Sequence, residues 1–137
     1  METLFGVLIE TLTFDSQPSQ HRLIALRYGD HLLRRFGLAE VIEAPDGKSP
    51  HLLLRPEADE VWVLLKGAIT LDLLDRRSDS PTRGQSQSVE LQAPSRVLIP
   101  FGVAAGWRTI SGPVQILRLT THSEEESAVE HIAWEET

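Results

Sequence analysis

EVWVLLKGAITLDLLD, Glu60–Asp75, is built almost wholly from Val, Ile, Leu, Trp and Thr and is interrupted once, by Lys66-Gly67. β-Branched and aromatic residues fit a pleated surface, so 61–66 and 68–74 read as two strands joined by a turn at Gly67. Side chains alternate along a strand. Glu60, Trp62 and Leu64 therefore share one face, and Val61, Val63 and Leu65 the other. Outward from this segment the same texture recurs at 51–55, 88–92, 96–99, 105–110 and 114–121. Asp46-Gly47, Ser80-Pro81, Arg83-Gly84, Ala93-Pro94, Phe101-Gly102 and Gly112-Pro113 separate these runs. Many short strands between closely spaced turn signals predict an all-β sandwich or barrel.

Two short helices are expected beside the strands. Asp30 is placed to cap a helix reaching Arg35, with Leu32, Leu33 and Phe36 on one side and Gly37 ending it. Ser123 with Glu126 has the spacing of a capping box, and Glu124 and Glu125 would favour the positive end of that helix. The acidic run 124–126 is read as a solvated helix start.

The chain has 137 residues, a 41% apolar fraction, no cysteine and a net charge of −7. That length suits one domain with a real core. Its expected division is 1–47 as N-terminal strands and a short helix, 48–122 as the barrel core and 123–137 as a C-terminal segment. The lack of cysteine excludes disulfides, thiolate metal sites and cysteine nucleophiles, and fits a reducing compartment. The acidic balance argues against nucleic acid and anionic membrane as partners. No run approaches ~20 apolar residues, and Glu2 and Glu10 flank the first apolar stretch where a basic n-region would stand. A cytoplasmic location without a signal peptide or membrane span is therefore expected.

The spacing of particular residues carries a resemblance. Glu60, six residues, then Gly67 is the second half of the first cupin motif. Pro94, five residues, Pro100, one residue, Gly102, two residues, Ala105 is similar to the second motif, with Pro94 replacing its leading glycine and Ala105 its histidine. Within the cupins the chain resembles the dTDP-4-dehydrorhamnose 3,5-epimerase family. The residues that carry this are DLLDRR (72–77), SPTRG (80–84), VELQA (89–93), IPFGVAAGW (99–107), LRLTTH (117–122) and IAWEE (132–136). The likeness spans about 52–136; the first fifty residues match poorly. It implies a cupin-type double-stranded β-helix, a jelly-roll barrel, that binds a sugar or nucleotide-sugar of the dTDP-hexose type. It also implies a homodimer formed through sheet edges and N-terminal strands, and the exposed edges of a short β-chain point the same way.

The resemblance also locates what is changed. Metal-dependent cupins hold their ion with clustered histidines and a glutamate. Of these positions only Glu60 is kept, so neither a metal nor another cofactor is expected. The family works without metal, by proton abstraction beside a keto group, which takes a base, a group to meet the enolate and an acid on the opposite face. The family base aligns with Leu52, or with His51 after a one-residue shift, and parity allows only one of the two to face the cavity. The family lysine becomes Glu60, the turn histidine becomes Ala105, and the tyrosine acid becomes Ser123, preceded by His122.

The resemblance thus implies a sugar-binding cupin that is not a working 3,5-epimerase. Two alternatives stand beside it. One is a divergent keto-sugar isomerase of deoxysugar or cell-surface polysaccharide biosynthesis, using Glu60 with His122 or His51. The other is a non-catalytic structural or regulatory cupin filled by side chains.

Pocket-lining candidates follow from the residues. Trp62 and Trp107 share faces with Glu60 and Ala105, and are either a stacking wall for a ring or core residues. Arg55, Arg108 and Arg118 are candidates for a diphosphate clamp, each with a solvent-facing alternative. Glu60 inside a barrel must be bonded to a ligand hydroxyl, paired with an arginine such as Arg55, or protonated. Ser123 completes the candidate set.

Overall fold

The computed structural model describes residues 3–134. Ten strands run in chain order: β1 Leu8–Thr11, β2 Asp15–Gln17, β3 Gln20–Arg22, β4 Leu38–Ala44, β5 Leu52–Leu54, β6 Glu60–Asp75, β7 Ser86–Gln92, β8 Ser95–Ile99, β9 Val103–Thr120 and β10 Glu130–Ile132. Eight of them form one antiparallel sheet folded on itself, and β2 and β3 form a separate hairpin.

β6 and β9 hold the two halves together. The first half of β6 pairs with β8 and with the end of β9, and β1 and β4 flank that group. The second half of β6 pairs with β7 and with the start of β9, which β5 and β10 extend. Trp62, Leu64, Val97 and Ile116 from the first half and Ile69, Leu71, Leu73, Val103 and Trp107 from the second pack into one interior cluster. Two such halves enclosing one core make a jelly-roll barrel.

The expected strand pairs 61–66 with 68–74 and 105–110 with 114–121 are in fact the single long strands β6 and β9. Gly67 does not reverse the chain. It sits at a series of register shifts where β6 bends from one half to the other. Its φ is +86°, and a Cβ there would lie 2.7 Å from the Ser111 carbonyl oxygen and 2.8 Å from that of Pro113. The signal read as a turn marks a corner, where the backbones of both long strands come close.

Both expected helices are corrected. A 3-10 turn spans Tyr28–Asp30, so Asp30 ends an element instead of starting one. Its carboxylate accepts from the Arg27 backbone and from Arg96, which lowers its pKa against the opposing effect of burial. Phe36 is exposed. At Ser123 only turns form. The Ser123 N–H donates to Glu126 and the Glu126 N–H donates back to the Ser123 carbonyl, half of a capping box with no helix behind it.

The SPTRG loop is organised by Asp75 at the end of β6. Asp75 is fully buried and accepts from the Ser80 and Thr82 hydroxyls at 2.6 Å each, and from the Arg77 side chain and backbone. Burial opposes its ionisation, but these donors outweigh it and hold the carboxyl well below the usual carboxylate range. A second apolar cluster lies on the outer face of the second half: Leu52, Leu54, Leu74, Ala104 and Ile132, with Trp134 packed over it. Gly106 leaves room for this cover, since a Cβ there would stand 2.4 Å from Leu52 Cδ2 and 3.2 Å from Trp134.

Candidate functional site

The parity of β5 fixes which side chains enter the barrel. Leu53 pairs with Ala105, a member of the interior cluster, so Leu53 faces inward. Leu52 is buried on the outer face under Trp134, so of the pair His51 and Leu52 it is not Leu52 that faces the interior. Residues 51 and 55 share the parity of Leu53. Arg55 does reach the interior, where its Nε lies 3.1 Å from Glu60 Oε1. His51 is exposed and packs edge-to-face on His131, with ring centroids 5.2 Å apart. His131 pairs with Leu53 across β5 and β10, so it lies on the inner side of that edge strand. Both histidines share the inward parity of Leu53 and are exposed.

The opposite wall is the first half of the sheet. Glu40 of β4, Arg118 of β9, Trp62 of β6 and Val97 of β8 form one lateral row. Arg118 donates to Glu40 through Nε at 2.7 Å and through a second, shorter contact. Its guanidinium carbon stands 5.8 Å from the Trp62 ring centroid. The Trp62 indole donates to Glu60 Oε1 at 3.1 Å, and Arg118 Nε approaches the same oxygen at 4.0 Å. Charges therefore alternate along Arg55, Glu60, Arg118 and Glu40. Arg55, Glu60, Trp62 and Arg118 are 3%, 1%, 4% and 9% exposed, so this cluster is interior. Of the three fates open to Glu60, pairing with Arg55 is the one the structure displays, and burial of an unpaired carboxylate is avoided.

β4 and β10 are edge strands, and their inner faces are only partly covered: Leu38, Glu40, Ile42 and Leu53 are half-buried and His131 is exposed. On the inner side of the two halves, Glu40, His51 and His131 thus stand at the partly exposed margin, and Arg55, Glu60, Trp62 and Arg118 are buried behind them. Two cavities open elsewhere. One of about 660 Å³ lies beneath the β2–β3 hairpin, beside Arg22, Arg27, Asp30 and Arg96. Another of about 460 Å³ lies on the outer face of the second half, beside Lys48, Asp72, Ser88, Arg108 and Trp134. Neither contains the buried charge cluster, and concentration of partnered and half-partnered polar groups is the better guide to chemistry than surface hollow size.

The remaining candidates separate from this cluster. Trp107 is in the apolar core. Arg108 has the opposite parity, lies half-exposed on the outer face and is held bidentately by Asp72, whose hydrogen bonds raise its pKa. A role for Arg108 in a clamp with Arg55 is corrected accordingly. His122 lies just past β9, its Nδ1 2.8 Å from the Thr121 hydroxyl, and its backbone packs against Gly37. Ser123 is held in its turn by Glu126. Among the described residues no hydrogen bond or ion pair joins either of them to Glu60, and no group of three or more His, Cys, Asp or Glu converges as metal ligands.

Glu40 and His131 were missed in the sequence. Glu40 was legible: in LAEVIEA it is the one charge on the parity of Leu38, Ile42 and Ala44. His131 carried no local signal, because its contact with His51 is made across 80 residues by the pairing of β10 with β5.

Comparison with known proteins bears on the family and the fold. The chain is 29% identical over 121 residues to the spore coat polysaccharide biosynthesis protein SpsL of Bacillus subtilis (strain 168), covering 86% of this chain and 80% of that one. Its fold is similar to a dTDP sugar isomerase from Desulfovibrio desulfuricans G20, with a TM-score of 0.81 at 22% identity, over 93% of this chain and 84% of that one. It is also similar to a dTDP-6-deoxy-D-glucose-3,5-epimerase from Legionella pneumophila Philadelphia 1 in complex with dTDP-4-keto-L-rhamnose. There the TM-score is 0.79 at 18% identity, over 93% of this chain and 73% of that one. A model of the dTDP-4-dehydrorhamnose 3,5-epimerase family matches residues 51–137, more than half of the sequence, and the chain belongs to that family.

Proposed function

We propose that this protein binds a nucleotide-sugar of the dTDP-hexose type between β4 and β5/β10, and does not invert both C3 and C5 of a keto-sugar. The observation that carries this is the buried cluster Arg55–Glu60–Arg118 beside Trp62, behind a partly exposed margin. A side-chain-filled barrel with only a structural role has no need of two guanidiniums in its interior, where each carries a desolvation cost. Relatives of the family include structures holding dTDP-sugars, which supports the ligand class. Double epimerisation needs a base and an opposed acid. Ser123 lies outside the cluster, and its hydroxyl is a poor acid beside a phenol. Ala105 carries no proton. A homodimer remains part of this proposal, as does the division of the chain into one domain with N- and C-terminal additions.

A test is to incubate the protein with a dTDP-4-keto-6-deoxyhexose in deuterated water and follow exchange at C3 and C5 by NMR. Exchange at both positions would contradict the proposal. Exchange at one position would support a second reading, a single-site keto-sugar isomerase with His51 as base. What favours that reading is the parity of β5, which puts His51 on the side of Leu53 and Arg55 and against His131. Under it, His51→Ala abolishes the exchange while binding persists.

A further inference from the structure

Arg55 is a buried charged group with an unsatisfied donor. A guanidinium has five N–H donors. Among the described residues none of the five makes an aligned hydrogen bond. Nε is within ion-pair distance of Glu60 Oε1, at 3.1 Å, but its N–H does not point at that oxygen, and Nε is a buried donor without a hydrogen-bond partner. The residue is 3% exposed. A buried donor of this kind forfeits its hydration, and native interiors rarely leave this uncompensated.

Glu60 is the complement. Its Oε1 is shared by Trp62, Arg55 and, more distantly, Arg118, whereas Oε2 has no protein partner among the described residues. Side by side in this cluster stand a planar set of free donors and a free acceptor. The charge around them balances: Arg55 and Arg118 give +2, Glu60 and Glu40 give −2. A diphosphate would seek a net positive site. A neutral cluster presenting adjacent donors and an acceptor fits neighbouring oxygens of a sugar ring, one accepting and one donating.

We infer that Arg55 and Glu60 together read the sugar moiety of the ligand, Arg55 Nη donating to a ring hydroxyl or carbonyl oxygen and Glu60 Oε2 accepting from the adjacent hydroxyl. This rests on the nucleotide-sugar reading above and adds which of this chain's own residues meet the sugar. Arg55 and Glu60 are then specificity determinants for the sugar.

Calorimetric titration with dTDP and with dTDP-glucose, on the wild type, Glu60→Gln and Arg55→Lys, tests the assignment. The wild type should bind dTDP-glucose more tightly than dTDP. Each substitution should weaken dTDP-glucose at least tenfold while dTDP stays within about twofold, because one deep hydrogen-bonded pair contributes a tenfold factor for each ~1.4 kcal/mol. Glu60→Gln is nearly isosteric and decides the matter if Arg55→Lys does not fold. A parallel loss of dTDP affinity, or survival of the gain from the sugar in both variants, overturns the assignment and leaves a nucleotide site. Failure of the wild type to bind either compound overturns the nucleotide-sugar reading, and the assignment with it.

Discussion

The Trp62 indole donates to the Glu60 carboxylate at 3.1 Å, two residues away on the same face of β6, so that strand parity alone brings an aromatic donor against a buried acid. The same carboxylate oxygen is the counter-charge for Arg55. Removing it strands Arg55, whereas Arg118 keeps Glu40. Glu60→Ala should cost roughly 3–5 kcal/mol, the range for breaking a buried ion pair from one side. Replacing the pair together, Glu60→Leu with Arg55→Met, should cost far less, since no charge is left unpaired. Urea unfolding of the three proteins checks this. Equal costs for the single and double replacements would mean that packing, not charge, governs the site.

Asp75 is a structural acid in the same strand. Its native pKa is depressed by Arg77, Ser80 and Thr82, despite burial. A depressed carboxyl stabilises the fold above its unfolded pKa, about 3.9, and that contribution fades as pH falls below this value toward the folded pKa. Asp75→Asn should therefore lower stability at pH 7, and the difference from wild type should shrink below about pH 4. Chemical denaturation as a function of pH measures it; a difference independent of pH would exclude the ionised carboxylate as the cause.

Gly67→Ala should destabilise by more than about 1 kcal/mol, because it places a methyl group against two backbone carbonyls at a positive φ. Gly47 also has positive φ, but a Cβ there meets nothing within 4 Å. Gly47→Ala should cost less, from backbone strain alone. Thermal unfolding of both variants compares a clash plus strain with strain by itself.

Glu126 titrates at about 2, held down first by the Ser123 backbone N–H and then by Arg35. Arg35→Gln should raise it toward the ordinary glutamate value while leaving it below, since the backbone donor remains. Proton-detected titration of the Glu126 side chain follows the change.

The barrel was legible because its evidence is local: alternation in β6 and β9, and turn residues at their bends. Gly67 was visible as a breakpoint, but a glycine at a corner and one in a reversal look alike until the partner strand is known, so two strands were expected where one bends. The resemblance to the cupin motif implied that Glu60 points inward, and parity carried Trp62 with it. The direction of Arg118 was ambiguous, because Leu117 and Leu119 flank it. Its burial comes from Glu40, on a strand in the poorly matching first fifty residues. The choice between His51 and Leu52 stayed open for a related reason. It depends on the register of the strand, and the outer face that takes Leu52 is closed by Ile132 and Trp134 from the far end of the chain. Helix expectations at Asp30 and Ser123 rested on caps alone, and caps without an apolar periodic segment behind them make turns.

The measurement that bears most directly on the nucleotide-sugar reading is thermal unfolding of the wild-type chain with and without dTDP-glucose. A ligand at one hundred times its Kd stabilises the native state by about 2.7 kcal/mol, enough to raise the midpoint by several degrees. The account predicts such a rise, saturable with dTDP-glucose, larger than with dTDP and lost in Glu60→Gln. An unchanged midpoint with both compounds at millimolar concentration would contradict it.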